Sequence, residues 1–452
     1  MFPSCFAVLF MWLNQGEVLM TSKDEVKQQL RQQWIETPSW AYGNTGTRFK
    51  VFRNPAAARD PYEKIEDAAL VNRLTGVAPS VALHIPWDRV DDYAKLAKHA
   101  ADLGLRIGAI NPNVFQEDDY RLGSVCHPDP KVRRKATDHL VECVGIAVAT
   151  GSPAVSLWFA DGTNYPGQDD IRARQDRLAE ALRETYDALP DGIGMLLEYK
   201  LFEPGFYTMD VPDWGTSLSH CLALGPKANV LVDTGHHAPG TNIEFIVASL
   251  LRLGRLGGFH FNSRFYADDD LLVGAADPYQ LFRILNEIVA AGAHLPGAGV
   301  AFMLDQCHNI EDKVAAEIRS VMNVQEATAK ALLVDRDALR PAAGIAFMLD
   351  QCHNIEPKIP AQIRSVMNVQ EATAKALLID AAALAAAQRA GDVLGANALF
   401  MDAFSTDVRP LLAGLRADMG LDPDPIAAYH RSGYGEKILA DRVGGTPASW
   451  GS

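Results

Sequence analysis

Nothing in this sequence pairs its cysteines. The six, Cys5, Cys126, Cys143, Cys221, Cys307 and Cys352, are scattered with no CxxC among them. That argues against a thiolate zinc site or a disulfide framework, and leaves reduced thiols used as small buried hydrophobes in a cytosolic protein. No GxGxxG follows the first strand-like run, so a dinucleotide-binding sheet has no support. A basic stripe is missing too, and the net charge of −14 argues against nucleic acid as a partner. An acid excess of this kind is ordinary for cytosolic enzymes. Finally, no apolar run reaches the roughly 20 residues that a membrane span needs. The most apolar stretch, Met1–Leu13, imitates a signal peptide but lacks a basic n-region and an AxA-like site. Translation is therefore expected to start at Met20, with Gln15–Val18 decoded from a ribosome-binding site and residues 1–20 an upstream extension.

What the sequence does have is a repeated grammar. Val230–His237 reads VLVDTGHH: an apolar run with the look of a strand buried on both faces, then an Asp, a turn and two histidines. Met195–Lys200 (MLLEYK), Gly258–Asn262 (GFHFN) and Val300–Gln306 (VAFMLDQ) likewise run apolar into one ionisable residue, Glu198, His260 or Asp305. A lone carboxylate in a core costs several kcal/mol, about what a pairing or a metal must offset. Four such strands converging on one cation would remove that cost.

Strands and helices alternate along the chain. Strands are expected at the Trp40 region and at 81–85, 107–111, 154–159, 195–199, 230–233, 258–262 and 300–305. Helices are expected at 21–34, 89–103, 131–149, 170–189, 214–223, 243–253 and 278–290. Eight βα units without a break predict an α/β fold, a closed (β/α)8 TIM barrel spanning 21–387, with a helical, loop-rich C-terminal extension over 388–452. One stretch is anomalous. Ala298–Ala342 is followed at once by Ala343–Ala387, aligned without a gap and differing at ten positions. A closed barrel has no edge for a ninth strand, so one copy of this tandem duplication is surplus. The second copy, with Asp350, is slightly favoured for the eighth strand, because an insert ahead of that strand would sit away from the site.

In parallel barrels the C-terminal strand ends face the site. The residues gathered there are Glu198, Lys200, Asp233, His236, His260, Asp305 or its twin Asp350, and Asp268 and Asp270 in the RFYADDD loop. Carboxylates with a minority of imidazole and no thiolate suit Mn2+ or Mg2+ before Zn2+, and the number of candidates suits two ions sharing a carboxylate. Singly these residues are unremarkable: His236 would be a turn residue, Asp268–Asp270 a solvated loop and Lys200 a snorkelling surface lysine. His237 and His308 are read as structural. Trp40, His84, Trp87, Phe115 and Trp158 would face the same mouth, an aromatic collar suited to a sugar.

The runs SWAYGNTGTRF, LHIPWD, INPNVFQ, SLWFADGTNYPGQ, LLEYKLFEP, VDTGHH, FHFNSRFYADDDL and MLDQCHN together resemble the L-rhamnose isomerase family, of the Pseudomonas and Bacillus type within the xylose-isomerase-like barrels. The resemblance runs from about Met20 to the end of the chain. It implies a cytoplasmic, tetrameric aldose–ketose isomerase that interconverts L-rhamnose and L-rhamnulose by a metal-assisted hydride shift on two Mn2+ ions, with Mg2+, Co2+ or Zn2+ as substitutes. By the same resemblance, Glu198, Asp233, His260 and Asp305 or Asp350 would hold a structural ion. Glu198, His236, Asp268 and Asp270 would hold a catalytic one. Lys200 would grip a sugar oxygen, His84 would stand near O5, and Trp40, Trp87, Phe115 and Trp158 would wall the pocket. Alternatives are a related ketose 3-epimerase or another aldose isomerase. A second Glu late in the barrel would favour the epimerase, and the eighth strand offers Asp instead. A catalytically impaired sugar-binding barrel is the remaining alternative, supported by the duplication alone.

Overall fold

The computed structural model describes residues 23–45, 52–202, 208–268, 270–306, 312–334, 386, 389, 409–423, 431 and 433. Two units divide the chain: Met1–Val26 with Leu332–Asp407, and Lys27–Ala331 with Val408–Ser452. The second holds a closed parallel barrel in sequence order, β1 to β8, with β8 pairing back to β1. Its strands are Ile35–Pro38 (β1), Ser80–Ile85 (β2), Arg106–Pro112 (β3), Ala154–Leu157 (β4), Gly194–Glu198 (β5), Ala228–Asp233 (β6), Leu256–Phe261 (β7) and Ala301–Leu304 (β8). The expected (β/α)8 architecture is therefore present.

The surrounding helices start where capping chemistry tells them to. The side chains of Asp60, Asp92, Asp129, Asp170, Asp213, Asn242 and Asp277 each accept a first-turn N–H, opening Pro61–Thr75 (α3), Tyr93–Asp102 (α4), Pro130–Thr150 (α5), Ile171–Ala188 (α6), Trp214–Leu224 (α7), Ile243–Leu253 (α8) and Pro278–Ala290 (α9). Lys23–Leu30 (α1), Ser39–Tyr42 (α2), Lys313–Leu332 (α10) and Arg409–Asp418 (α11) complete the described set. Asp418, at the end of α11, lies 3.4 Å from Lys27 and 3.5 Å from Arg31.

Three expectations need correction. The first strand is Ile35–Pro38, and Trp40 belongs to the short helix α2 behind it. Pro38, which has no N–H to continue a ladder, closes the strand earlier than the aromatic run suggests. Helix α3 fills a stretch for which no element was expected, and α4 starts at its Asp92 cap instead of at Arg89. The eighth strand, finally, comes from the first copy of the duplication, not the second. Ala301–Leu304 follows α9 by a short loop and pairs with both β7 and β1, closing the barrel before the second copy begins. Asp350 lies outside the described residues.

Ala109, Leu196, Leu231 and Met303 form an apolar cluster inside the barrel, with Ala154 and Ala301 packed against it. Beside it the β2–β3 register shifts between Val81 and Leu83, and the buried carboxylate of Glu36 fills the irregularity. Glu36 accepts from the Ala109 N–H at 2.9 Å and the Ser80 hydroxyl at 3.0 Å, and burial pushes its pKa up. Gly108 leaves this carboxylate its room, since a Cβ there would stand 1.7 Å from Oε2. Gly108→Ala is expected to cost about 1–3 kcal/mol by overpacking, read as a lowered midpoint in chemical denaturation. An unchanged midpoint would mean that Glu36 can withdraw freely.

Candidate functional site

Because strand side chains alternate, each strand presents every second residue to the barrel interior. One step above the apolar cluster the inward positions from β2 to β8 are polar: His84 on β2, Asn111 on β3, Ser156 on β4, Glu198 on β5, Asp233 on β6, His260 on β7, and Asp305 just past β8. The register pairs His84 with Asn111 and Asp233 with His260. Above this ring opens a cavity lined by Trp40, His84, Trp87, Asn111, Pro112, Phe115, Ser156, Trp158, Glu198, His236, His260, Asp268, Asp270 and Asp305.

Of the residues singled out from sequence, Asp233 is fully buried behind the cavity and Lys200 is buried with its ammonium 2.8 Å from Asp268; all the others except Asp350 line the cavity. Two groups of potential ligand atoms lie within 4.8 Å of one another: Glu198, Asp233, His260 and Asp305, and then Asp233, His236 and Asp268. The carboxylate common to both is Asp233, where the resemblance implies Glu198. Glu198 nevertheless lies 3.1 Å from His236 Nδ1 and 3.2 Å from His260 Nδ1. Asp270 belongs to neither group but lines the cavity with φ at +44°, a left-handed conformation uncommon outside glycine.

Neighbouring groups aim these side chains. Asp233 Oδ1 accepts from the Gly235 N–H at 2.6 Å and from Asn262 Nδ2 at 3.0 Å. The Tyr199 carbonyl lies 3.1 Å from His236 Nδ1, which leaves Nε2 turned toward Asp268 at 3.3 Å. Trp40 donates from Nε1 to Asp305 at 2.8 Å, so this collar residue also steers a carboxylate. Gly235 is required by close approach, because a Cβ would stand 2.6 Å from Asn262 Oδ1. His237 pairs with the Tyr199 hydroxyl at 2.7 Å, and burial drives its pKa down to about 3, in keeping with a structural role. His308 lies outside the described residues.

The electrostatics are those of a site short of positive charge. Burial alone would push Glu198 up, but His260 and His236 outweigh it and hold it at about 2. Asp233 rises to about 7 through burial and the like charges of Glu198 and Asp268, against the pull of His236. Burial disfavours the His260 imidazolium, yet Glu198 and Asp305 hold its pKa at about 9. Burial, with Lys64 and His139 adding to it, keeps His84 well below the usual imidazole range. Carboxylates with two imidazoles and no thiolate make a donor set fitted to a hard or borderline divalent ion, which would neutralise this excess. A third acidic group, Cys126, Asp161 and Asp210, is self-sufficient. Asp161 accepts from the Ser124 N–H, the Ser124 hydroxyl and the Cys126 N–H, and Asp210 is held by Arg174 at 2.8 Å.

The collar is a continuous set of ring contacts. His84 stacks on Trp87 at 3.9 Å, Phe115 meets Trp158 edge-on at 4.8 Å, and Lys200 sits over Trp158 at 5.1 Å. Sequence reasoning missed Asn111 and Ser156, since it gathered only ionisable and aromatic strand ends. Counting inward positions from the register of the neighbouring strands would have found both.

Residues 74–307 match the family model described as xylose isomerase-like TIM barrel. The chain is 39% identical to a probable sugar isomerase of Rhizobium meliloti, across 93% of this chain and 88% of that one. It is 37% identical to a probable sugar isomerase of Mesorhizobium japonicum, across 95% and 90%. A xylose isomerase of Thermus thermophilus is 25% identical across 57% and 69%. No helix among the described residues is long and apolar enough to cross a membrane. By its closed barrel, its polar ring and the extent of these matches, the chain belongs to the xylose isomerase-like TIM barrel family.

Proposed function

We propose that this protein is an L-rhamnose isomerase, converting L-rhamnose to L-rhamnulose with two divalent ions, Mn2+ first, and working as a cytoplasmic homotetramer as the resemblance implies. The observation that carries the reading is the pairing of two buried ligand groups with an aromatic collar in one cavity. Support also comes from relatives named probable sugar isomerases along nearly the whole chain. The structural ion would take Glu198, Asp233, His260 and Asp305. The second would take His236, Asp268, a shared Asp233 or Glu198, and Asp270. When bound, such ions supply Lewis-acid polarisation of the sugar's oxygens.

The chain's own residues account for the remaining work. The collar stacks on the C–H face of the sugar and keeps water from it. His84, kept neutral by burial, can exchange a proton at O5 as the ring opens. Lys200, paired to Asp268 at 2.8 Å, is placed to hold a sugar oxygen. Engaged as a donor in that ion pair, it is not poised as a base, which favours direct transfer of hydride from C2 to C1. In that step C2 becomes the carbonyl carbon, and the proton lost by O2 is gained by O1. Among the described residues lining the cavity Glu198 is the single glutamate, so the opposed second Glu that would favour a 3-epimerase has no counterpart there.

Ketose formation from L-rhamnose should vanish after chelator treatment and return with Mn2+. Asp305→Ala should lower it roughly a hundredfold or more, the scale of losing one charge-stabilising group, whereas Asp350→Ala should not. A folded, Mn2+-loaded protein inert toward L-rhamnose would sink the proposal.

Metal uptake should depend on pH. Burial raises Asp233 to about 7, and the neighbouring carboxylates raise His260 to about 9 and His236 as well, so these ligands carry protons near neutral pH that binding must displace. Mn2+ affinity should therefore rise between pH 6 and 9, by roughly tenfold per unit for each proton released. Calorimetry in buffers of different ionisation enthalpy counts those protons; an affinity flat with pH would contradict the ligand assignment.

A further inference from the structure

The polar ring has two members that neither the ligand groups nor the collar use. Asn111 and Ser156 stand side by side on β3 and β4, where Ile110 pairs with Val155 in the register just before them. Both are buried, at 7% and 2% exposure, and both line the cavity. Apart from the tryptophans and the neutral His84, they are the uncharged hydrogen-bonding side chains among the described residues lining it.

Their hydrogen bonding is incomplete in a directed way. Asn111 Nδ2 donates to the Leu83 carbonyl at 3.1 Å and the Ala109 carbonyl at 3.4 Å. Only an NH2 group can face two carbonyls, so the amide orientation is set and Oδ1 is left as an acceptor on the cavity side. Ser156 Oγ is buried without a hydrogen-bond partner, as are His84 Nδ1 and Trp158 Nε1 on the same wall. A buried hydroxyl left unmatched is costly, and one χ1 step re-aims it. An acceptor beside a donor is the complement of a single hydroxyl group, which donates one hydrogen bond while accepting another.

We propose that Asn111 and Ser156 are specificity-determining residues that together receive one hydroxyl of the aldose, Asn111 Oδ1 accepting its proton and Ser156 Oγ donating to its oxygen. This rests on the sugar reading above and adds to it a neutral subsite on the β3–β4 wall. Of the ring's carboxylates, Asp233 and Asp305 belong to β6 and the end of β8, and only Glu198, on β5, neighbours the pair, so the pair is assigned a hydroxyl on a carbon other than the reacting C1 and C2. A site built to bond a hydroxyl rejects the analogue lacking it far more strongly than an apolar pocket distinguishes a methylene.

The test compares the Mn2+-loaded full-length protein with Ser156→Ala and Asn111→Ala on L-rhamnose and on its 3-, 4- and 5-deoxy analogues. Wild type should lose about 10- to 100-fold in kcat/KM on one analogue. Each variant should lose about tenfold on the parent sugar, mainly in KM, yet show little further loss on that same analogue and the ordinary loss on the other two. A merely structural role would lower all four sugars by one factor, and that result, or a variant equal to wild type, overturns the assignment. Wild type that turns over no aldose overturns the sugar reading itself, and is distinguished by needing no variant to reveal it.

Discussion

Five carboxylates, Glu198, Asp233, Asp268, Asp270 and Asp305, meet at one end of a barrel with two imidazoles and one lysine to balance them. Self-repulsion at such a point works against folding, and the surrounding structure is arranged to contain it. Asn262 and the Gly235 N–H hold Asp233, the Trp40 indole holds Asp305, and Lys200 holds Asp268. Each carboxylate so held is prevented from turning away from its neighbours. A barrel that needed only stability would fill those positions with aliphatic residues, as it does one layer lower with Ala109, Leu196, Leu231 and Met303.

Much of this was legible before the structure. The helices α8 and α9 have the limits that periodicity gives them, and seven of the eight strands fall on the expected runs, because a buried strand followed by a capped helix is a local signal. Glu198, Asp233, His260 and Asp305 were found by one rule, the ionisable residue that closes an apolar run. The failures share a cause as well. β1 is four residues with two polar side chains, Glu36 and Thr37, too short for a pattern to emerge, and its identity depends on pairing with β2 and β8, which are distant in sequence. Asn111 and Ser156 carry no charge to mark them. Which copy of the repeat closes the barrel is a question of closure geometry, to which near-identical sequences are blind.

Two carboxylates show how environment divides similar residues between tasks. Glu36 and Glu198 are both buried glutamates on barrel strands. Glu36 meets an N–H and a hydroxyl and has its pKa raised by burial, serving the irregular β2–β3 register. Glu198 meets two imidazoles and is held ionised at about 2. The first is structural and the second is available to a cation, and the difference lies in the neighbours each strand register supplies.

The apolar cluster beneath the polar ring also governs traffic. Among the described residues it closes the barrel beneath the ring, leaving the collar side as the open approach. A guest seated against His84, Trp87 and Trp158 stands in the doorway of the ligand group formed by Glu198, Asp233, His260 and Asp305. On the proposed function, loading would be ordered like a vessel with a single neck: an ion in the inner ligand group would enter before a sugar and leave after it.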